Sequence, residues 1–207
     1  MGRPPWTNQP ASRYTLDERE LIRRLLDGDE AAYRTLVDRC HGAMLATARA
    51  LVGEAIAEEV VQEAWLSAIQ ALPRFEGRSS LKTWLIRITA NRAKSRLRRE
   101  ARTVSVESPE DLERRFDARG HWSEPPRPWA VDERPDALLE RDRLKARLDQ
   151  ALRRLPPMQQ AVVVMRDMEG LAFADICKIL EISESNARVL LHRARLKLWQ
   201  AVEETRD

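Results

Sequence analysis

Between Gly170 and Leu198 the chain carries two short amphipathic stretches around a tight turn, and the second is strongly basic. Few folds accommodate that pattern. Phe173, Ile176 and Leu180 recur at spacings of three and four, with Asp175 and Lys178 on the other side, which predicts one helix. Ile182 then fills the angle before the next. Ser183 is placed to cap the second helix with its hydroxyl, and Glu184 sets a negative charge at the positive end of the helix dipole. Ala187, Leu191, Ala194 and Leu198 form its inward stripe, leaving Ser185, Arg188, Val189, His192 and Arg193 directed mostly outward. No acid interrupts Ser185 to Val202. The pattern fits a DNA-reading helix-turn-helix and equally an ordinary hairpin with a solvated basic face. The rest of the chain decides between them.

Upstream, apolar residues recur at helical spacing from Leu21 to Ala48, with a break near Gly28 and Asp29 positioned to cap the second of two helices. After Gly53, a further helix places Ala57, Val61, Ala64, Trp65, Ala68 and Leu72 on one stripe and Glu58, Glu59, Gln62 and Glu63 on the other. Those acids face away from the apolar stripe and no histidine follows them, so a bundle-core metal site is not indicated. A solvated face or a docking surface for a basic or polar partner remains.

Pro73 ends that helix, and the charge then reverses. Ten basic residues lie between Arg74 and Arg102, against only Glu76 and Glu100. Such density is the electrostatic footprint of nucleic-acid binding. A loop to Ser80 leads into a helix in which Trp84, Leu85, Ile88 and Leu97 make a candidate buried stripe and Lys82, Thr83, Arg87, Asn91 and Lys94 an outward polar one. Phe75 and Trp84 add aromatic surface of the kind that stacks on unpaired bases, unless they pack in the core.

Five prolines (Pro109, Pro125, Pro126, Pro128 and Pro135) and a local excess of acids mark the next stretch as a linker. The expected organisation is therefore all-α. It comprises a disordered tail (1–15), a helical domain (16–102), a flexible Pro-rich linker (103–136) and a helix-turn-helix domain (137–207). Independent motion of the two domains is expected, with Trp122 and Trp129 ordering only on a partner. A net charge of +3 on 207 residues conceals this uneven distribution of sign. Cys40 and Cys177 form no CxxC, so neither a disulfide framework nor a metal site is predicted, and no cofactor motif is present. Neither a membrane span nor a signal-peptide core is visible, which predicts a cytoplasmic protein without membrane insertion. Without a phosphate loop, paired catalytic carboxylates or an activated nucleophile, no enzyme is expected.

Taken in order, Ala57-Glu-Glu-Val-Val-Gln-Glu-Ala-Trp65, Phe75-Glu-Gly77, Ser80-Leu-Lys-Thr-Trp-Leu85 with Ala90-Asn91, Leu155-Pro156, Gly170-Leu171 and Leu191-His-Arg-Ala-Arg195 resemble the extracytoplasmic-function (group 4) sigma factors of bacterial RNA polymerase. The likeness spans roughly Leu21 to Glu100 and Leu144 to Val202. It implies a promoter-recognition subunit whose partners are core RNA polymerase, promoter DNA and an anti-sigma factor. By that resemblance Glu58, Glu59, Gln62 and Glu63 bind core polymerase. The minus-10 element falls to Phe75, Arg78, Ser79, Ser80, Lys82, Trp84, Arg87, Asn91 and Lys94. For the minus-35 element the corresponding set is Ser185, Asn186, Arg188, Val189, His192 and Arg193. The competing reading is a stand-alone helix-turn-helix regulator of duplex DNA, which needs neither the acidic helix nor the basic melting-like block. Two departures stand out. Glu181 replaces the usual turn glycine, which implies either another turn type or roughly 1–2 kcal/mol of left-handed strain. Val189 and Leu190 stand where polar residues are common, which implies apolar contact to a thymine methyl.

Overall fold

Asp29 shows how local chemistry sets the first boundary: its carboxylate accepts from the amides of Ala31 (2.8 Å) and Ala32 (3.3 Å), which would otherwise be orphaned at a helix start. It separates α1 (Leu16–Leu26) from α2 (Glu30–Val52). Gly53 then turns the chain into α3 (Glu54–Ala71), with a φ of 79° that a side-chain-bearing residue adopts only with strain. The computed structural model describes residues 16–101 and 135–203, and every regular element among them is helical. The expected tail and the linker up to residue 134, with Trp122 and Trp129, lie outside the described residues, while Pro135 and Asp136, expected in the linker, open a helix.

A 3-10 turn (Leu72–Arg74) follows α3, with Pro73 inside it, and a loop leads to α4 (Leu81–Ala101). α2, α3 and α4 pack on one another, and α1 lies against α2. Between them Met44, Leu85 and Ile86 are wholly buried. Each such side chain contributes about 1.5–3 kcal/mol of burial. Leu97, expected in the stripe, is instead 40% exposed, as α4 runs on past the last fully buried positions at Ala90 and Ala93.

Beyond the linker come α5 (Pro135–Arg153), α6 (Pro157–Val163) and one π-helical turn (Val164–Met168), closed by the Glu169 amide donating to the Val164 carbonyl at 2.9 Å. Sequence periodicity reads α6 and this turn as a single helix. α7 (Phe173–Leu180) and α8 (Glu184–Glu203) complete the helix-turn-helix. α8 is the hub here, contacting α5, α6 and α7. Its Ala187, Leu191 and Ala194 are buried as predicted.

Glu181 sits in the left-handed conformation itself (φ 61°, ψ 42°), so the turn keeps the glycine-type geometry with a glutamate in it. The Ile182 amide closes it by donating to Cys177 O at 3.2 Å. The two helical halves do not stand apart as the linker suggests. α2 packs on α6 and the π turn, α4 on α7, and the buried side chains form one cluster through both halves. Helical periodicity reveals that a face is buried but not which element covers it, which is why this contact was invisible in sequence.

Candidate nucleic-acid and polymerase interfaces

On α3 the apolar stripe is fixed by Ala57, Val60, Val61, Ala64 and Ala68, all buried, so Glu58, Glu59 and Gln62 are turned to solvent and Glu63 is half-buried. Cations border the patch. Arg96 of α4 reaches Glu59 at 2.8 Å, Arg99 approaches Glu63 at 3.8 Å and Arg49 lies 4.0 Å from Glu58. Exposed pairs of this kind are weak and exchangeable, so the acids stay accessible to a competing cationic surface.

The loop before α4 is anchored rather than open. Phe75 is only 5% exposed, and its ring lies 4.8 Å from that of Trp84 at a 49° tilt. It therefore braces the loop from inside, and the stacking role expected of it has no accessible ring face. The Phe75 amide donates to Leu72 O at 3.0 Å and closes the 3-10 turn. Trp84 is half-buried and walls an apolar hollow of about 170 Å³ shared with Tyr33, Leu36, Trp65 and Leu72.

Ser80 caps α4 by accepting from the Thr83 amide at 3.1 Å, and the Leu81 amide donates to Glu18 of α1 at 2.7 Å. That contact across 63 residues of chain has no local sequence signal. Ser79, beside the cap, is half-buried, and its hydroxyl donates to the Ser80 carbonyl at 3.3 Å. Arg78 pairs with Glu76 yet remains highly exposed, and Arg87 and Asn91 lie open on α4. Lys82 and Lys94 are engaged elsewhere: Lys82 lies 2.5 Å from Glu169, and Lys94 lies 2.6 Å from Glu181.

In the helix-turn-helix, Ser183 caps α8 through the Asn186 amide at 3.2 Å. Ser185, Asn186 and Arg188 are exposed on its first turns, while Val189, His192 and Arg193 are half-buried. Arg188 is held on two sides. Its Nη2 lies 2.5 Å from Glu184 Oε1, and its guanidinium sits 4.7 Å over the Phe173 ring, whose other neighbour is Arg166 at 4.8 Å. Phe173 was legible only as an apolar position; its service as a platform for two arginines needs the fold. Arg195 makes a bidentate pair with Asp167 (2.8 and 2.6 Å), tying α8 to the π turn, and that hydrogen bond raises its pKa.

No cluster of metal-ligating side chains occurs among the described residues, and no described helix is long and apolar enough to cross a membrane. Residues 36–103 match the family model of sigma-70 region 2, and residues 145–198 that of sigma-70, region 4. A Haemophilus influenzae protein named probable RNA polymerase sigma factor is 33% identical over 159 residues, covering 75% of this chain and 81% of the relative. The ECF RNA polymerase sigma-E factor of Escherichia coli K12 is 27% identical, over 87% of this chain and 91% of the relative. In fold, the chain is similar to the Bartonella quintana sigma factor RpoE solved in complex with the anti-sigma factor NepR, with a TM-score of 0.55 at 22% identity, covering 83% and 96% of the two chains. The chain belongs to the sigma-70 family of RNA polymerase sigma factors, in its extracytoplasmic-function group. Members direct promoter-specific initiation of transcription and are regulatory subunits rather than enzymes.

Proposed function

We propose that this chain works in the cytoplasm as an exchangeable promoter-recognition subunit, with residues 16–102 and 137–207 as its two working modules, 103–136 as their linker and 1–15 as a tail. Glu58, Glu59, Gln62 and Glu63 dock on core polymerase. Arg78, Ser79, Ser80, Lys82, Trp84, Arg87, Asn91 and Lys94 receive the melted minus-10 strand. Ser185, Asn186, Arg188, Val189, His192 and Arg193 read the duplex minus-35 element, and an anti-sigma factor holds the protein in reserve. One observation supports this above the rest. α3 and α4 carry an acidic and a basic face side by side on one packed body, an arrangement that a regulator binding only duplex DNA does not require. The half-buried Trp84 beside open cations suits unpaired bases, which stack on aromatic rings while their phosphates meet Arg and Lys. On α8 the arginine fork matches two acceptors of guanine in the major groove.

The test is reconstitution: purified chain with core polymerase on genomic DNA, followed by sequencing of the 5′ ends of transcripts. A shared pair of upstream motifs at the initiated starts is the expected result. Duplex binding with no initiated transcripts would instead identify a stand-alone regulator.

A further inference from the structure

A guanidinium donates along two edges: a side edge of Nε and Nη2, and an end edge of the two Nη groups. In Arg188 the side edge is already taken, because Nε lies 3.2 Å and Nη2 2.5 Å from the same Glu184 oxygen. One face is taken as well, by the Phe173 ring at 4.7 Å. What stays open is the end edge, on a side chain 62% exposed. Two parallel N–H groups there match O6 and N7 of guanine, whereas adenine sets a donor beside its N7 and cannot accept both.

The two restraints come from different elements. Phe173 opens α7, packs on the core from a half-buried position and has Arg166 4.8 Å from its ring, itself tied to the Leu171 carbonyl at 2.7 Å. The ring is thus a fixed surface. Glu184 favours the start of α8, yet beside a DNA backbone its charge opposes the binding of any duplex. Its gain at such an interface is orientation. An arginine without these restraints is free to swing to a phosphate, where it adds affinity and reads no sequence.

We propose that Phe173 and Glu184 are specificity-determining positioning residues. One by its ring and the other by its carboxylate, they present Arg188 end-on to a guanine of the upstream element and hold it away from the phosphates. The inference rests on the reading of Arg188 as a base contact, and neither positioning residue needs to touch the DNA. Sequence preference at that base pair is therefore set partly on α7, outside the recognition helix.

The experiment offers duplexes of randomised sequence to the full chain, alone and with core polymerase, and sequences the bound fraction. Core polymerase by itself supplies the background. Arg188→Ala first identifies the position at which guanine is preferred through that side chain. Phe173→Leu, which keeps an apolar residue at the start of α7, should lower guanine preference there roughly two- to fivefold and leave the other positions as they are. Phe173→Tyr keeps the ring and should keep the preference. Glu184→Ala should lower the same preference while tightening binding to duplexes that lack the guanine, opposite signs that a weakened fold does not produce. In the Arg188→Ala background neither change should alter the preference at that position any further.

Parent preference in either variant strikes that residue from the pair, and parent preference in both overturns the proposal. Loss spread evenly over all positions, or persisting in the Arg188→Ala background, overturns it too, because the effect is then one on folding. Should Phe173→Leu lose its helices by circular dichroism, Glu184→Ala on α8 still decides. If Arg188→Ala itself changes no position, Arg188 reads no base, and the underlying reading falls and takes the positioning with it.

Discussion

Arg188 combines an exposed guanidinium with two restraints, the Glu184 carboxylate at 2.5 Å and the Phe173 ring at 4.7 Å. A fork held this way loses less freedom on meeting a base than a free one does, so discrimination is expected to concentrate in it. Arg188→Ala should lower preference at one or two positions of the minus-35 element by about 1–3 kcal/mol, whereas Lys197→Ala should weaken all sequences about equally. Binding to a panel of single-base promoter variants separates the two, and uniform loss for both would remove Arg188 as a base reader. The cysteines offer a second contrast. Burial pushes the Cys40 thiol up to about 11, while Cys177 is half-exposed. At pH 8 only about a thousandth of Cys40 is thiolate, so iodoacetamide should label Cys177 well before Cys40, as peptide mass spectrometry would show.

Helix ends were legible where the chemistry is local. Asp29, Ser183 and the inward stripe of α8 follow from side chains within four residues of the amides or turns they serve. What escaped was non-local: the Glu18 carboxylate accepting from the Leu81 amide at the start of α4, the burial of Phe75 against Trp84, and the π turn that interrupts the helix after α6. Periodicity encodes a face, and only the fold supplies what lies against it. The same distinction governs α3. Gln62 faces solvent and the half-buried Glu63 lies 3.8 Å from Arg99, so the two add little to folding, while reversal of a charge inside a complementary interface is costly. Gln62→Ala with Glu63→Lys should therefore leave the thermal midpoint nearly unchanged and weaken association with core polymerase. A fluorescence titration giving parent affinity would dismiss the acidic face as the docking surface.

At the scale of the whole molecule, acidification probes both folding and the contact between modules, because the carboxylates concerned titrate below their ordinary range. The Lys94 hydrogen bond lowers the pKa of Glu181, the Arg24 hydrogen bond that of Asp29, and the Arg23 hydrogen bond that of Glu20. A carboxylate whose folded pKa is depressed contributes stability that is complete above the unfolded value of roughly 4 and is lost as pH falls through the lower folded value. Unfolding and opening should therefore take up protons, with stability flat near neutrality and declining below about pH 4. Glu181 alone of the three bridges the two modules, which makes its share separable. Glu181→Gly should leave the acid unfolding limb to which Asp29 and Glu20 contribute in place but lessen the pH dependence of inter-module energy transfer between dyes on α3 and α5, the Lys82–Glu169 contact remaining. If transfer in the parent stays constant from neutrality down to the onset of unfolding, the carboxylate of Glu181 does not hold the modules together.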